Sequence, residues 1–256
     1  MVAILRDLET ARTRLLMPTQ RRAPWPPDFP PVGIDAAESA VKKHPAYAAA
    51  KAGDAFSSLR LVKELADPAL LGRLNVYRGG SPILLPVHGI EGISVNTIPL
   101  ALGVHLSEQL GFALSTAVVQ ITKAGHTGAT GWWRLCSPAL FSGVVEANRG
   151  YILVDDFIGM GGTFASLRGL IESKGGRVLC ARALTGKPRS ATLALQPTTL
   201  QALRGKHGDD LERWWQTEYG YGFDALTESE ALYLLRAEHA DAIRRRLAEA
   251  AHERHR

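Results

Sequence analysis

Two adjacent carboxylates, Asp155 and Asp156, end an apolar run and stand just before a glycine turn, Gly159-Met160-Gly161-Gly162-Thr163, in the stretch "YILVDDFIGMGGTF". A turn of this kind at the start of a helix exposes successive backbone N–H groups that can cradle a phosphate. Its glycines let the backbone come close to the anion, and the Thr163 hydroxyl adds a donor. Carboxylates do not favour a phosphate, so the pair must face another part of the same ligand: hydroxyl donors, a metal ion or a developing cation. A ribose 5-phosphate unit, with a phosphate at one end and two hydroxyls close by, resolves that conflict of charge most simply.

The run "ILVDDFIGMGGTF" resembles the phosphoribosyl-pyrophosphate (PRPP) signature of the type I phosphoribosyltransferases: a hydrophobic strand, two acids, four variable residues and a Gly-Gly-Thr ending. It differs from a Walker A loop, whose Lys-Ser or Lys-Thr ending is missing. The resemblance covers roughly Val76 to Lys187. It implies that Asp155 and Asp156 hold the 2- and 3-hydroxyls of the sugar and favour its cationic transition state. It also implies that Gly159, Met160, Gly161, Gly162 and Thr163 take the 5-phosphate. Mg2+ is the implied cofactor, held chiefly through substrate oxygens with Asp155 and Asp156 as its protein carboxylates.

In the family, a loop after an earlier strand cradles the pyrophosphate. Here the loop after Ile83 to Val87 offers His88, Gly89, Gly92, Ser94 and Asn96, but neither Lys nor Arg, so the cation has to come from elsewhere. The segment "ITKAGHTGATGWWRL" is similar to the flexible catalytic loop of the orotate and adenine members, with Lys123 and Arg134 as the groups that neutralise the leaving pyrophosphate. His126 in the same loop is a further catalytic candidate. Members acting on 6-oxopurines carry an additional acid where this chain has Gly159, which counts against hypoxanthine or guanine as acceptor. The resemblance thus implies a transferase that takes PRPP and a small nitrogenous base. The alternative is a non-catalytic PRPP- or nucleotide-sensing regulator, or an accessory protein, with the same fold. The pairs Trp132-Trp133 and Trp214-Trp215 could stack on a base, although such pairs more often pack a core or an interface.

These residues need a frame that brings strand ends together. The runs "PILLPVH", "STAVVQIT", "YILVDD" and "RVLCARALT" are continuously apolar rather than alternating, as in strands covered on both faces. Between them, "NTIPLALGVHLSEQLG" has a capping Asn96 or Thr97, a first-turn proline and Gly111 at its far end. "TFASLRGLIESKGG" places Phe164, Leu167 and Ile171 on one helical face. The predicted architecture is α/β, a doubly wound parallel sheet, with helical N- and C-terminal additions. Three zones follow: residues 1–74, a helical extension and possible hood; 75–187, the PRPP-binding core; and 188–256, a helical segment. Gly53-Asp54 reads as a turn between two helices, and "APWPPDFPPVG" can be neither regular helix nor central strand.

At 256 residues, 46% of them hydrophobic and 21% charged, the chain can bury a substantial core. No run approaches the ~20 apolar residues of a membrane span, and Arg6, Asp7 and Glu9 stand where a signal peptide would be apolar. A cytoplasmic protein is the default expectation. Two cysteines, Cys136 and Cys180, read as ordinary thiols, Cys180 in a buried strand. The net charge of +5 suits phosphorylated ligands, while interleaving of the bases with acids does not support nucleic acid. In the C-terminal segment, Leu232, Leu235, His239, Ile243 and Leu247 recur at roughly helical spacing and suggest a docking or dimerisation helix, with a homodimer as the expected assembly. Arg244, Arg245 and Arg246 keep nucleic acid open there.

Overall fold

In the computed structural model, which describes residues 22–89, 96–122 and 130–253, the proline-rich stretch leads into a short strand, β1 (Gly33–Ala36). Four short helices follow: α1 (Glu38–Lys43), α2 (Tyr47–Lys51), α3 (Ala55–Leu65) and α4 (Pro68–Arg73). Pro45 separates the first two. The second and third are separated by Gly53, at φ 98°, and by Asp54, which caps α3 by accepting from the Ser57 N–H at 2.7 Å. The expected turn at Gly53-Asp54 is therefore present.

β2 (Ile83–Pro86), α5 (Ile98–Leu110) and β3 (Ala113–Leu114) form the next unit. α5 carries Pro99 in its first turn and ends on Gly111 at φ 72°, and Asn96 accepts from the Ile98 N–H at 3.3 Å. After β4 (Val118–Gln120), α6 (Gly131–Cys136) and β5 (Phe141–Gly143), the long strand β6 (Gly150–Ile158) runs into α7 (Gly162–Ser173) and β7 (Arg177–Gly186). The C-terminal zone holds α8 (Pro197–Tyr219), broken at Gly208, then α9 (Glu228–Leu235) and α10 (Ala240–Glu253).

Five strands make an all-parallel sheet in the order β1-β7-β6-β2-β3. Side chains alternate across it, so both faces are buried. Ile83, Leu85, Tyr151 and Leu153 pack with Phe164, Leu167 and Ile171 of α7, whereas Leu84, Ile152 and Val154 pack with α3 and α5. This is why the strand runs are apolar throughout. A register shift beside Tyr151 and Ile152, where Val178 and Cys180 are successive partners, keeps β7 in phase with both cores. Helices on opposite faces of a parallel sheet make the chain an α/β protein consistent with the doubly wound expectation.

Three expectations change. Most of the run "STAVVQIT" lies outside this sheet: β4 pairs antiparallel with β5, and a bridge joins Gln120 to Gly89, past the end of β2. The zone before Asn75 is not purely helical, since β1 forms an edge of the sheet, tied down by a buried ion pair between Asp35 and Arg182 of β7. The C-terminal helical pattern is two helices. His239 caps the second by accepting from the Ala242 N–H at 3.2 Å, and Ile243 and Leu247 are buried in a separate C-terminal core, with Leu211, Trp215 and Phe223, while Leu232 is exposed. Among the described residues, no helix is long and apolar enough to cross a membrane.

Candidate functional site

The connections out of β2 and β6 leave in opposite directions. β2 crosses by α5 to β3 on one side, and β6 crosses by α7 to β7 on the other, so a crevice opens between the carboxyl ends of the adjacent strands β2 and β6. His88 follows β2 there, and Asp155 and Asp156 stand near the end of β6. A cavity of about 460 Å3 occupies this place. It is within the size range of small-molecule sites.

Alternation along β6 gives the two carboxylates different surroundings. Asp155 is buried on the α7 side, and one of its oxygens accepts the Asp156 N–H at 2.8 Å. Burial, then the neighbouring Asp156 charge, raises the Asp155 carboxyl well above the ordinary carboxylate range. Asp156 faces the other side, where Lys51 Nζ of α2 lies 2.6 Å from its Oδ2. Burial pulls the Lys51 ammonium down, but the charge and hydrogen bond of Asp156 outweigh it and leave its pKa raised.

The glycine turn is held from outside by its carbonyls. Ser190 Oγ donates to Gly159 O at 2.5 Å, Thr227 Oγ1 to Met160 O at 2.5 Å, and Arg22 Nη2 to Gly162 O at 3.2 Å. Arg22 also forms a buried ion pair with Glu230, its Nη1 donating to both carboxylate oxygens at 3.0 and 2.8 Å, and its Nε donates to Ser166. Gly161 is left-handed at φ 87°, and a Cβ there would lie 2.4 Å from Leu193. At Gly162 a Cβ would lie 2.4 Å from Glu230. Close approach therefore requires glycine at both positions. α7 has no side-chain cap, and the N–H groups of Gly162, Thr163 and Phe164 have no acceptor among the described residues. Open donors at a helix start are able to take an anion, and the cavity is lined by Thr163 and Met160 of this turn.

Arg134, in α6, reaches this turn: a Cβ on Gly159 would lie 2.8 Å from its Nη1. Burial lowers the pKa of its guanidinium. His88 holds Nδ1 3.1 Å from Pro86 O, and Gly89 bridges to Gln120; both line the cavity. The structure thus brings together Asp155, Asp156, Arg134, His88, Gly89 and the turn Gly159 to Thr163. Lys123, His126, Gly92 and Ser94 lie outside the described residues. The tryptophans do not line the cavity. Trp215 is fully buried beside Tyr219, Tyr221 and Phe223, Trp214 lies under Arg244, and Trp132 meets Tyr233 edge-on at 4.9 Å. Base stacking by either Trp pair finds no support in these positions. Arg244 and Arg246 are likewise engaged, the first with Asp241 and Trp214 and the second over the Trp132 ring.

No protein-family model matches the chain. It is 40% identical over 233 residues to Protein TraN of Escherichia coli, a match covering 91% of this chain and 52% of that protein. It is 37% identical over 153 residues to an uncharacterized protein of Haemophilus influenzae, covering 59% of this chain and 34% of the other. The chain spans about half the length of the first of these relatives and a third of the second. Among solved structures, a UMP synthase of Leishmania donovani aligns with 75% of this chain and 35% of its own at 14% identity and a TM-score of 0.29, too slight a likeness to bear on the fold or the site.

Several residues around the site carried no sequence signal. Lys51 sits in an alanine-rich helix remote from any motif. Arg22 and Glu230 are 208 positions apart, and Ser190 and Thr227 are ordinary cap-type residues. Only proximity in space assigns them to the glycine turn.

Proposed function

We propose that this protein is a phosphoribosyltransferase that moves ribose 5-phosphate from PRPP to a nitrogenous acceptor and releases pyrophosphate. One observation carries the reading: the buried acid Asp155 and the uncapped start of α7 share one wall of one cavity at the crevice of the sheet. The open N–H groups from Gly162 to Phe164 suit the 5-phosphate, and Asp155 and Asp156 suit the sugar hydroxyls. In the reaction the bond from C1 to pyrophosphate oxygen breaks, its electron pair leaves with pyrophosphate, the acceptor nitrogen bonds to C1, and a proton is lost from the acceptor. Asp155 and Asp156 stabilise positive charge developing on the sugar, and Arg134, beside Gly159, neutralises charge on the departing group.

The donors present fit the expected Mg2+. Asp155 and Asp156 are two adjacent carboxylates lining the cavity, the one or two protein oxygens typical of an Mg2+ held mostly by substrate. When bound, it would add neutralising charge at the pyrophosphate.

A regulator that binds PRPP without turnover is favoured by a different observation, the ion pair that already engages Asp156 with Lys51. Calorimetric titration with PRPP and Mg2+, followed by a screen of nitrogenous bases for pyrophosphate release, tests both readings. Binding with release supports the transferase, binding without release for every base supports the regulator, and absence of PRPP binding rejects both. Intact PRPP affinity and turnover in an Asp155→Asn, Asp156→Asn double variant would reject the assigned ribose contacts.

A further inference from the structure

The face that α9 presents to the cavity has no part in the donor contacts above. Ser229, Leu232, Tyr233 and Arg236 recur at positions i, i+3, i+4 and i+7 and all line the cavity, while Ala231 and Leu234 on the other face are fully buried in the C-terminal core. This face runs from polar through apolar and aromatic to cationic. Tyr233 is fixed in place: a Cβ on Gly131 would lie 2.3 Å from its ring, and the Trp132 ring meets it edge-on. Leu232, by contrast, is left 41% exposed.

The cations beside this face are available. Of the six Lys and Arg side chains that line the cavity among the described residues, Lys42 pairs with Glu38 and Lys51 with Asp156, and Arg134 lies against the glycine turn. Lys187, Arg189 and Arg236 have no side-chain hydrogen bond or ion pair among the described residues. Arg189 belongs to the 3-10 turn Pro188–Ser190, which is joined to α9 by a hydrogen bond from Ser229 Oγ to Ser190 Oγ at 3.0 Å. An apolar and aromatic surface beside unpaired guanidinium groups recognises a flat ring carrying an anionic group, because Arg binds planar oxyanions in fork geometry.

We propose that the α9 face, with Arg189 and Arg236, is the acceptor subsite, and that the acceptor is a planar nitrogen heterocycle bearing a carboxylate. The assignment rests on the phosphoribosyltransferase reading. It extends that reading, since nothing in the donor contacts requires the acceptor to be charged.

Equilibrium binding of matched probes that differ only in the carboxylate, nicotinate against nicotinamide and orotate against uracil, tests the subsite in the absence of PRPP. PRPP affinity is measured separately. The carboxylate member of at least one pair is expected to bind about fivefold tighter or more, the scale of one well-placed surface charge contact. An Arg189→Gln, Arg236→Gln double variant is expected to abolish the difference and to leave PRPP affinity within about twofold of the wild type. Both positions are exposed, so the fold should survive, which circular dichroism checks. Equal binding within both pairs, no binding of any probe, or a preference that survives in the variant overturns the proposal. So does a matching loss of PRPP affinity, which would give these cations to pyrophosphate. A wild-type protein that fails to bind PRPP overturns the transferase reading instead, whatever the probes do.

Discussion

Lys51 Nζ lies 2.6 Å from Asp156 Oδ2, joining a helix of the N-terminal segment to the end of the central strand. The pair neutralises one of two adjacent carboxylates in a cavity that otherwise gathers cations. Without it, an incoming phosphorylated ligand would meet the uncompensated charge of Asp156 beside Asp155. A unit charge about 10 Å from a ligand phosphate, at an effective dielectric near 20, contributes about 1.5 kcal/mol. Lys51→Met is therefore expected to weaken PRPP binding roughly tenfold in calorimetry, and Lys51→Arg to retain most of it. Tighter binding by Lys51→Met would identify the ion pair as a plug that the ligand must displace.

Asp155 should be a site where function costs stability. Its carboxyl pKa is raised in the folded protein, chiefly by burial and then by Asp156. Between the ordinary carboxylate pKa of about 3.9 and that raised value, the folded state binds more protons than the unfolded state, so stability falls as pH rises through this window. Asp155→Asn removes that loss. The variant is expected to be more stable than wild type to urea by on the order of 1 kcal/mol at pH 8, with the advantage shrinking as pH falls toward 4, and to lose PRPP binding. A pH-independent difference would contradict the assignment of the raised carboxyl.

Two glycines of the turn should respond differently to alanine. At Gly161 the left-handed backbone and the 2.4 Å approach to Leu193 predict a loss of roughly 2 kcal/mol or more in urea denaturation. At Gly159 the new Cβ crowds the tip of the Arg134 side chain and makes an ordinary 3.4 Å contact with the Phe157 ring, so stability should stay within about 0.5 kcal/mol. Turnover should fall at Gly159→Ala, because Arg134 must move. Unchanged pyrophosphate release in that variant would remove Arg134 from the reaction.

The Arg22 and Glu230 pair makes the glycine turn depend on both ends of the chain. Both side chains are buried, and Glu230 also accepts the Thr227 N–H at 3.0 Å within a capping box. Glu230→Gln leaves the Arg22 charge without its partner and is expected to cost about 3 kcal/mol or more by chemical denaturation. An Arg22→Met, Glu230→Gln double variant should recover part of that loss, because it removes the uncompensated charge. Strict additivity of the two single changes would show that they do not act together.

The central strand, its two acids, the glycine turn and the two helices that follow β2 and β6 were legible because each is a local pattern. An apolar run reads as a strand buried on both faces, Pro99 and Gly111 bound a helix, and a left-handed Gly161 needs only its own neighbours. The run "STAVVQIT" misled because an apolar stretch does not say which partner it pairs with; Val118 to Gln120 pair with Phe141 to Gly143 in a separate two-stranded sheet. The break between α9 and α10 was hidden for a related reason: apolar spacing continues through a turn when both helices bury leucines in one core.

The sequence by itself determined that two carboxylates precede a glycine turn, since adjacency along a strand and a turn is a covalent fact. Tertiary structure alone decided what each carboxylate faces. Alternation sends Asp155 toward the α7 side and Asp156 toward Lys51, and the crossovers of the sheet place His88 of a different strand beside them. It likewise decided that Ser190, Thr227 and Arg22 grip the turn while α9 lines the cavity. Those contacts join residues tens to hundreds of positions apart, and side-chain chemistry at such separations acquires a partner only when the two cores have packed.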